Sequence, residues 1–446
     1  MSQGEEVAVR RPGTLSVFRN RGFARLFAAG ATSIAGFSIG QVALTIVVYD
    51  YTKSPLDVAY IGVSFIFASI LFSLAAGVMV DRYDRRSLMV VSDLVRALSL
   101  ALLIGYMVLL GFNLAAVIAV AFVLGSFTTL FQPAERALTP EIVGEEQIAN
   151  ANALVQTSNS ILQFSANSIG GILVVVSGAL VAFGLNVGTF LVSAGLIAGV
   201  AAAPKSEARR KMARQNSMVQ DLREGFRYIA HNRGLLELTL SAGAGNFFLS
   251  MVFQFFVVYA EVALGGNGAT YGVLTGLFAL GWAPGAYAST RFRTVRYAGL
   301  VWIVAGVLIG GCFVVMYLLP FLVPALVSVF SAGVLLGLTN TTWLTAVQLI
   351  VPTEMQGRYF GLDQLGSFAV IPVGQVVGGI IITATSVNFD YLVAGVGASA
   401  SAGLFILSPH LRNLGWKGPV KASEPDVGAG GGIIAPLEGI RTHESR

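Results

Sequence analysis

Twelve apolar runs, each near or above the ~20 residues a helix needs to cross a bilayer, dominate this 446-residue chain. They fall at 23–49, 58–80, 88–110, 113–133, 152–176 and 178–202, and then, after a polar stretch, at 235–260, 270–288, 298–318, 321–345, 362–384 and 391–409. Such a chain has few ways to fold. Backbone polar groups inside hydrocarbon must be satisfied within their own segment, so each run is expected to be a helix. Composition agrees, since 11% of residues are charged against ~25% in soluble domains. The first run follows Arg10, Arg11 and Arg19, is longer than a signal-peptide core and lacks a cleavage site, so it reads as a spanning helix.

The distribution of Lys and Arg sets the expected orientation. With the N-terminus in the cytoplasm, the inner segments hold Arg82, Arg85, Arg86, Arg136, the basic stretch from Lys205 to Arg233, Arg291, Arg293, Arg296 and Arg358. The outer loops hold Lys53 alone. The alternation requires an even number of spans and places both termini inside. The expected fold is therefore an all-α membrane protein with 12 transmembrane helices in two six-helix halves. Its parts are a cytoplasmic segment 1–22, a half at 23–203, a basic cytoplasmic linker at 204–234, a second half at 235–409, and a disordered cytoplasmic tail at 410–446. The expected location is the cell membrane, multi-pass. The net charge of +5 belongs to the inner loops, so no nucleic-acid partner is expected. Cys312 stands alone and His231, His410 and His443 lie in polar segments, so no metal or cofactor is expected.

The two halves repeat each other. Gly77–Arg86 at the end of span two matches Gly285–Arg293 at the end of span eight, an offset of 208 residues that Gly170-Gly171 and Gly378-Gly379 share. Val47-Val48-Tyr49 recurs as Val257-Val258-Tyr259. The stretch Gly77-x-x-x-Asp81-Arg82-x-x-Arg85-Arg86 resembles the loop 2–3 signature of the major facilitator superfamily, whose members are built from such repeats. Phe131-Gln-Pro133-Ala-Glu135-Arg136 through Pro140-Glu141, continuing to Asn150-Ala-Asn152-Ala-Leu, is similar to the prokaryotic branch of enterobactin exporters and macrolide-efflux proteins, as is Tyr51-Thr-Lys-Ser54-Pro55-Leu56. Two departures stand out. Many drug:proton antiporters of the superfamily carry an Arg deep in span four, which is absent from Leu114 to Phe131, and Ala166-Asn167 stands where the span-five motif has Gly-Pro.

Gly77 removes a side chain where helices approach closely, and Asp81, one turn on, sits at the membrane boundary, where an acid favours a helix N-terminus or an Arg. The resemblance implies that this helix is span eleven, near Gly361. Gly77, Asp81, Arg82, Arg85, Arg86 and Glu135 are the expected conformational latch, made when the cytoplasmic side closes. Asp93 and Arg96, three apart on one helical face, are an expected charge pair inside span three.

By resemblance, spans one, four, seven and ten line a central cavity. The candidates there are Gln41, Thr129, Gln132, Asn246, Phe248, Gln254, Phe255, Asn340 and Trp343, a mixture of neutral hydrogen-bonding groups and aromatic faces that suits a bulky amphiphile. No carboxylate lies in the middle of a span, and Asp50, which closes span one on the outer side, is the candidate carrier of a coupling proton. No nucleophile–base arrangement or metal-ligand cluster occurs in the spans, so an enzyme is not expected. The expected function is secondary active transport, as an efflux pump for amphiphilic drug-like or siderophore-like small molecules working by alternating access. An importer or a carrier coupled to another ion is the alternative within transport, and a non-transporting receptor or scaffold the alternative outside it. The expected partners are a small-molecule substrate, protons as coupling ion and the lipid bilayer, with a monomeric chain.

Overall fold

A computed structural model describes residues 14–144, 147–200, 231–291, 297–351 and 366–412, with Arg227, Tyr359 and Asp363. The linker expected at 204–234 lies outside them except for Arg227 and its last few residues, and so does the tail beyond Arg412. The described residues are helical. The first six helices are α1 (Arg21–Thr52), α2 (Pro55–Arg82), α3 (Arg85–Leu110), α4 (Leu114–Val143), α5 (Ile148–Ser177) and α6 (Ala179–Ala198). The next six are α7 (Arg233–Gln254), α8 (Gly268–Arg291), α9 (Ala298–Leu318), α10 (Leu322–Ile350), α11 (Ile371–Ala384) and α12 (Val387–Leu404).

Short polar residues start several of these helices, because their side chains accept from otherwise unpaired first-turn N–H groups. Asn20 accepts from Gly22 N at 2.9 Å, Asp84 from Ser87 N at 2.9 Å, Asn113 from Ala116 N at 3.0 Å and Ser386 from Phe389 N at 3.2 Å. Gly111, Gly144 and Gly178 stop α3, α4 and α5 at φ of 84°, 75° and 85°, a region open to glycine and strained for other residues. α7 breaks at Phe255 and continues through Phe256–Val258 into a π turn, Tyr259–Ala263. α12 begins at Val387, earlier than the apolar run at 391–409, which brings Asp390 into its first turn.

Among the described residues, ten helices are long and apolar enough to cross a membrane. α5 and α8 are not among the ten; α5 opens with a run of Asn, Gln, Ser and Thr, and the two helices pack on each other. One set of pairings occurs twice. α1 packs on α5 and α6, α2 on α4, and α3 on α4 and α6; correspondingly α7 packs on α11 and α12, α8 on α10, and α9 on α10 and α12. The two sets meet through α5–α8 and α2–α11.

Candidate functional site

α1 and α2 turn sharply through Lys53, which adopts φ 48° so that its N–H can reach Tyr49 O, while Ser54 and Pro55 open α2. This turn aims the Lys53 ammonium at Asp50 Oδ1 (3.2 Å) on its own helix and at Glu261 Oε2 (3.1 Å) in the π turn of the other helix set. Partial burial works against the ammonium charge, but the hydrogen bonds to Glu261 and Asp50 outweigh it and hold Lys53 above the usual lysine range. Below the ion pair, Gln254 Nε2 donates to Val58 O at 2.6 Å and Gln254 Oε1 accepts from Gln375 Nε2 at 3.2 Å. Ser168 donates to Gly272 O at 3.2 Å.

Glycines let the backbones meet at this same end. A Cβ on Gly171 would lie 2.3 Å from Gly268 O, and one on Gly379 would lie 3.3 Å from Leu56 Cα. At the opposite end, the described arginine contacts stay within α1–α6. Arg85 Nη1 donates to Ala137 O at 2.7 Å and lies 2.5 Å from Glu141 Oε1, Arg86 donates to Ala198 O, and Arg25 donates to Gly199 O. Among the described residues, contact between the two helix sets thus gathers at the Lys53 end.

The sequence expected Glu135 to meet the arginine cluster, but in this conformation Glu141 takes Arg85. Six residues separate the two acids on α4, about 9 Å of helix, which puts Glu135 deeper than Arg85 reaches. Glu135 lies instead against α1, where Gly30 leaves its carboxylate room, and within electrostatic reach of Arg136, Asp93 and Arg96. Arg82 is exposed; Gly77 and Asp81 belong to α2, and their side chains lie outside the described ones.

Asp93 and Arg96 pair, with side chains 0% and 2% exposed. Arg96 also donates to Ser33 Oγ at 3.2 Å, Thr128 Oγ1 at 3.3 Å and Ser92 O at 3.3 Å. Its guanidinium lies 4.8 Å from the Phe131 ring and 4.5 Å from the Phe190 ring, within cation–π range. α4 has no arginine of its own along Leu114–Phe131, and α3 supplies one against it.

The cavity candidates divide. Gln41, Gln132 and Asn340 expose their side chains on α1, α4 and α10. Thr129 donates to Gly125 O at 2.9 Å and Ser69 Oγ at 3.1 Å, and Phe248 packs edge-on to Phe247 and over Gly397. Phe255 is fully buried, Trp343 is half-buried, and Gln254 bridges the two helix sets. Asn246 donates to Ser367 O at 2.8 Å. Together with Asn340, Ser241, Trp302 and Ser401 it lines a cavity of about 100 Å³ between α7, α9, α10 and α12.

Sequence reasoning missed two features. Asn152, Asn159, Gln163 and Asn167 fall at helical spacing along one face of α5, with Asn152 and Gln163 exposed. Asp390 is fully buried. Periodicity of amides within an apolar run was the available signal for the first, and the N-cap at Ser386 for the second.

A family profile described as "Transmembrane secretion effector" matches residues 12–417. The chain is 28% identical over 427 residues to YkuC of Bacillus subtilis, an uncharacterized transporter of the superfamily's type, covering 86% of this chain and 90% of that one. It is 24% identical over 403 residues to the multidrug efflux pump Tap of Mycolicibacterium fortuitum, covering 87% and 96%. Macrolide efflux protein A of Streptococcus pyogenes and the enterobactin exporter EntS of Shigella dysenteriae, 23% and 24% identical, are also relatives. A crystal structure of the nucleoside transporter NupG shares the fold, with a TM-score of 0.72 at 11% identity over 86% of this chain and 99% of that one. These matches, on a helix bundle whose pairings recur in its second half, make this chain a membrane transporter of the major facilitator superfamily, in its transmembrane secretion effector family.

Proposed function

We propose that this protein is an efflux pump of the plasma membrane that exports amphiphilic small molecules by alternating access, with twelve spans and both termini in the cytoplasm. In this reading the Lys53 end faces outward and the Arg85 end inward, following the basic-residue asymmetry. The observation that carries the proposal is one-ended closure. The helix sets meet at the Lys53 end, while Gln41, Gln132, Gln163 and Asn340 expose amides on four membrane helices. Amides facing lipid go unsatisfied, so these side chains line a water-filled cleft open to the cytoplasm. Neutral amides beside aromatic rings suit an amphiphile better than an inorganic ion, and relatives such as Tap and macrolide efflux protein A bear efflux names.

The test is efflux from loaded cells and proteoliposomes with dyes, macrolides and catecholates, with and without a proton gradient. Wild type should lower the internal level of at least one class in a gradient-dependent way, and failure with every class would overturn the exporter reading. Asp81→Asn, which keeps shape and loses charge, should insert normally and transport at least about tenfold less, the effect of shifting a two-state switch by ~1.4 kcal/mol. Equal transport at equal protein level would remove Asp81 from the latch.

A further inference from the structure

Asp390 is the one described acid whose two carboxylate oxygens are both buried without a hydrogen-bond partner. It sits in the first turn of α12 at 0% exposure, and burying such a group as an anion is expensive. Tyr391, its chain neighbour, and Tyr259, stacked on Tyr391, are both committed elsewhere. Tyr259 from the π turn donates to Met316 O at 2.8 Å, and Tyr391, stacked on Tyr259 with centroids 4.5 Å apart, donates to Val252 O at 3.3 Å. Tyr271 of α8 reaches the same group of phenols electrostatically. From the other packed elements, α11 carries no charged residue, α9 offers the neutral Cys312 and Tyr317, and the charges of α7, Arg233 and Glu237, lie at its far end. Glu261 in the π turn is engaged by Lys53.

The fold does not need an acid here. The 208-residue repeat pairs α12 with α6 and Asp390 with Ala182, which is equally buried. One half therefore packs this position with a methyl group and the other with a carboxyl group.

The position also touches the closure. Gly378, whose Cβ would lie 3.3 Å from Asp390 Oδ1 and 2.8 Å from the Phe255 ring, precedes Gly379, which meets α2 at Leu56 and Ala59. The π turn that presents Tyr259 to the Tyr391 ring presents Glu261 to Lys53. Asp390 thus lies directly behind two of the contacts that hold the Lys53 end shut.

We propose that Asp390 is a proton-binding site that ties the charge of one carboxyl group to closure of the Lys53 end. Closed, the pocket holds the neutral acid. When α11 and the π turn move apart from α2 and Lys53, water enters, the acid O–H bond breaks, the proton passes to water and a hydrated carboxylate remains. A metal cation fits poorly, because it needs several oxygen ligands and the neighbouring phenols point at carbonyls. Asp50, by contrast, is exposed and ion-paired. This inference rests on the alternating-access reading above.

The experiment uses the full chain in lipid nanodiscs with Cys312→Ala and spin labels at Leu110→Cys and Leu318→Cys, which are exposed at the Lys53-end termini of α3 and α9. Pulsed EPR then reports the distance between the two helix sets. Raising the pH from mildly acidic to mildly alkaline should increase the open-to-closed ratio about tenfold, the equivalent of one unit of difference in proton affinity. Asp390→Asn and Asp390→Ala, neutral at every pH, should stay closed throughout, and Asp390→Glu should restore the response. A neutral variant that keeps the wild-type response would overturn the proposal. So would loss of folding in both neutral variants, since the carboxylate would then be structural. A wild type that exports substrate yet shows no pH response would remove the Asp390 proposal alone, whereas one that neither exports nor opens would remove the transport reading as well.

Discussion

Arg96→Met is expected to cost about 3–5 kcal/mol of stability and most of the folded yield, because it strands Asp93 as a buried charge. The Asp93 side chain is 0% exposed, and Arg96 and Ser33 donate hydrogen bonds to its Oδ1. A serine hydroxyl alone is a weak replacement for a guanidinium. The same guanidinium also fills the space between Phe131 and Phe190, so its loss leaves packing as well as charge unmet. The double variant Asp93→Asn with Arg96→Met removes both charges and should recover most of the loss, since replacing a whole buried pair is often close to neutral. Arg96→Lys should recover less, because an ammonium cannot reach Asp93, Ser33 and Thr128 together while stacking on two rings. Thermal unfolding of purified protein in nanodiscs measures all three. Additive losses in the double variant would mean that the two residues act separately and that the cluster is not one electrostatic unit.

The legible parts of this chain follow from its solvent. Hydrocarbon forces helices, so hydropathy located most of them, and Asn20, Asp84, Asn113 and Ser386 mark starts that hydropathy blurs. The Asp93–Arg96 pair could be read because three residues along a helix fix two side chains on one face. Which acid of α4 meets Arg85 in this conformation could not, because Glu135 and Glu141 are both on that helix and the depth at which α3 crosses it here selects Glu141. Asp390 was hidden for a related reason. The apolar run at 391–409 stops short of it, so it reads as a loop acid, whereas the cap at Ser386 starts the helix earlier and carries it into the packed interior. The polar face of α5 was passed over because its run is long enough to count as a span while its amides dilute among Ala, Leu and Ile.

Gly171→Val should leave the protein folded and inserted while suppressing export at least about fivefold. Any Cβ at this position would lie 2.3 Å from Gly268 O and 2.8 Å from Gly272 Cα, and these are backbone atoms of α8 that cannot rotate away. Overpacking of this kind costs about 1–3 kcal/mol. The clash exists only where α5 meets α8, so the cost falls on the state closed at the Lys53 end and leaves the open state unchanged. A ligand-free population shift of about five- to 150-fold follows, and the label pair at Leu110→Cys and Leu318→Cys should report the longer distance at every pH. Gly285→Val is the control. Its Cβ would lie 1.9 Å from Val334 O, but α8 and α10 belong to the same helix set, so both states carry the clash. That variant should lower folded yield without changing the label distance of the protein that survives. Export by Gly171→Val at the wild-type rate would mean that the α5–α8 contact is not part of the closing surface. Equal loss of folding in both variants would mean that it is static packing.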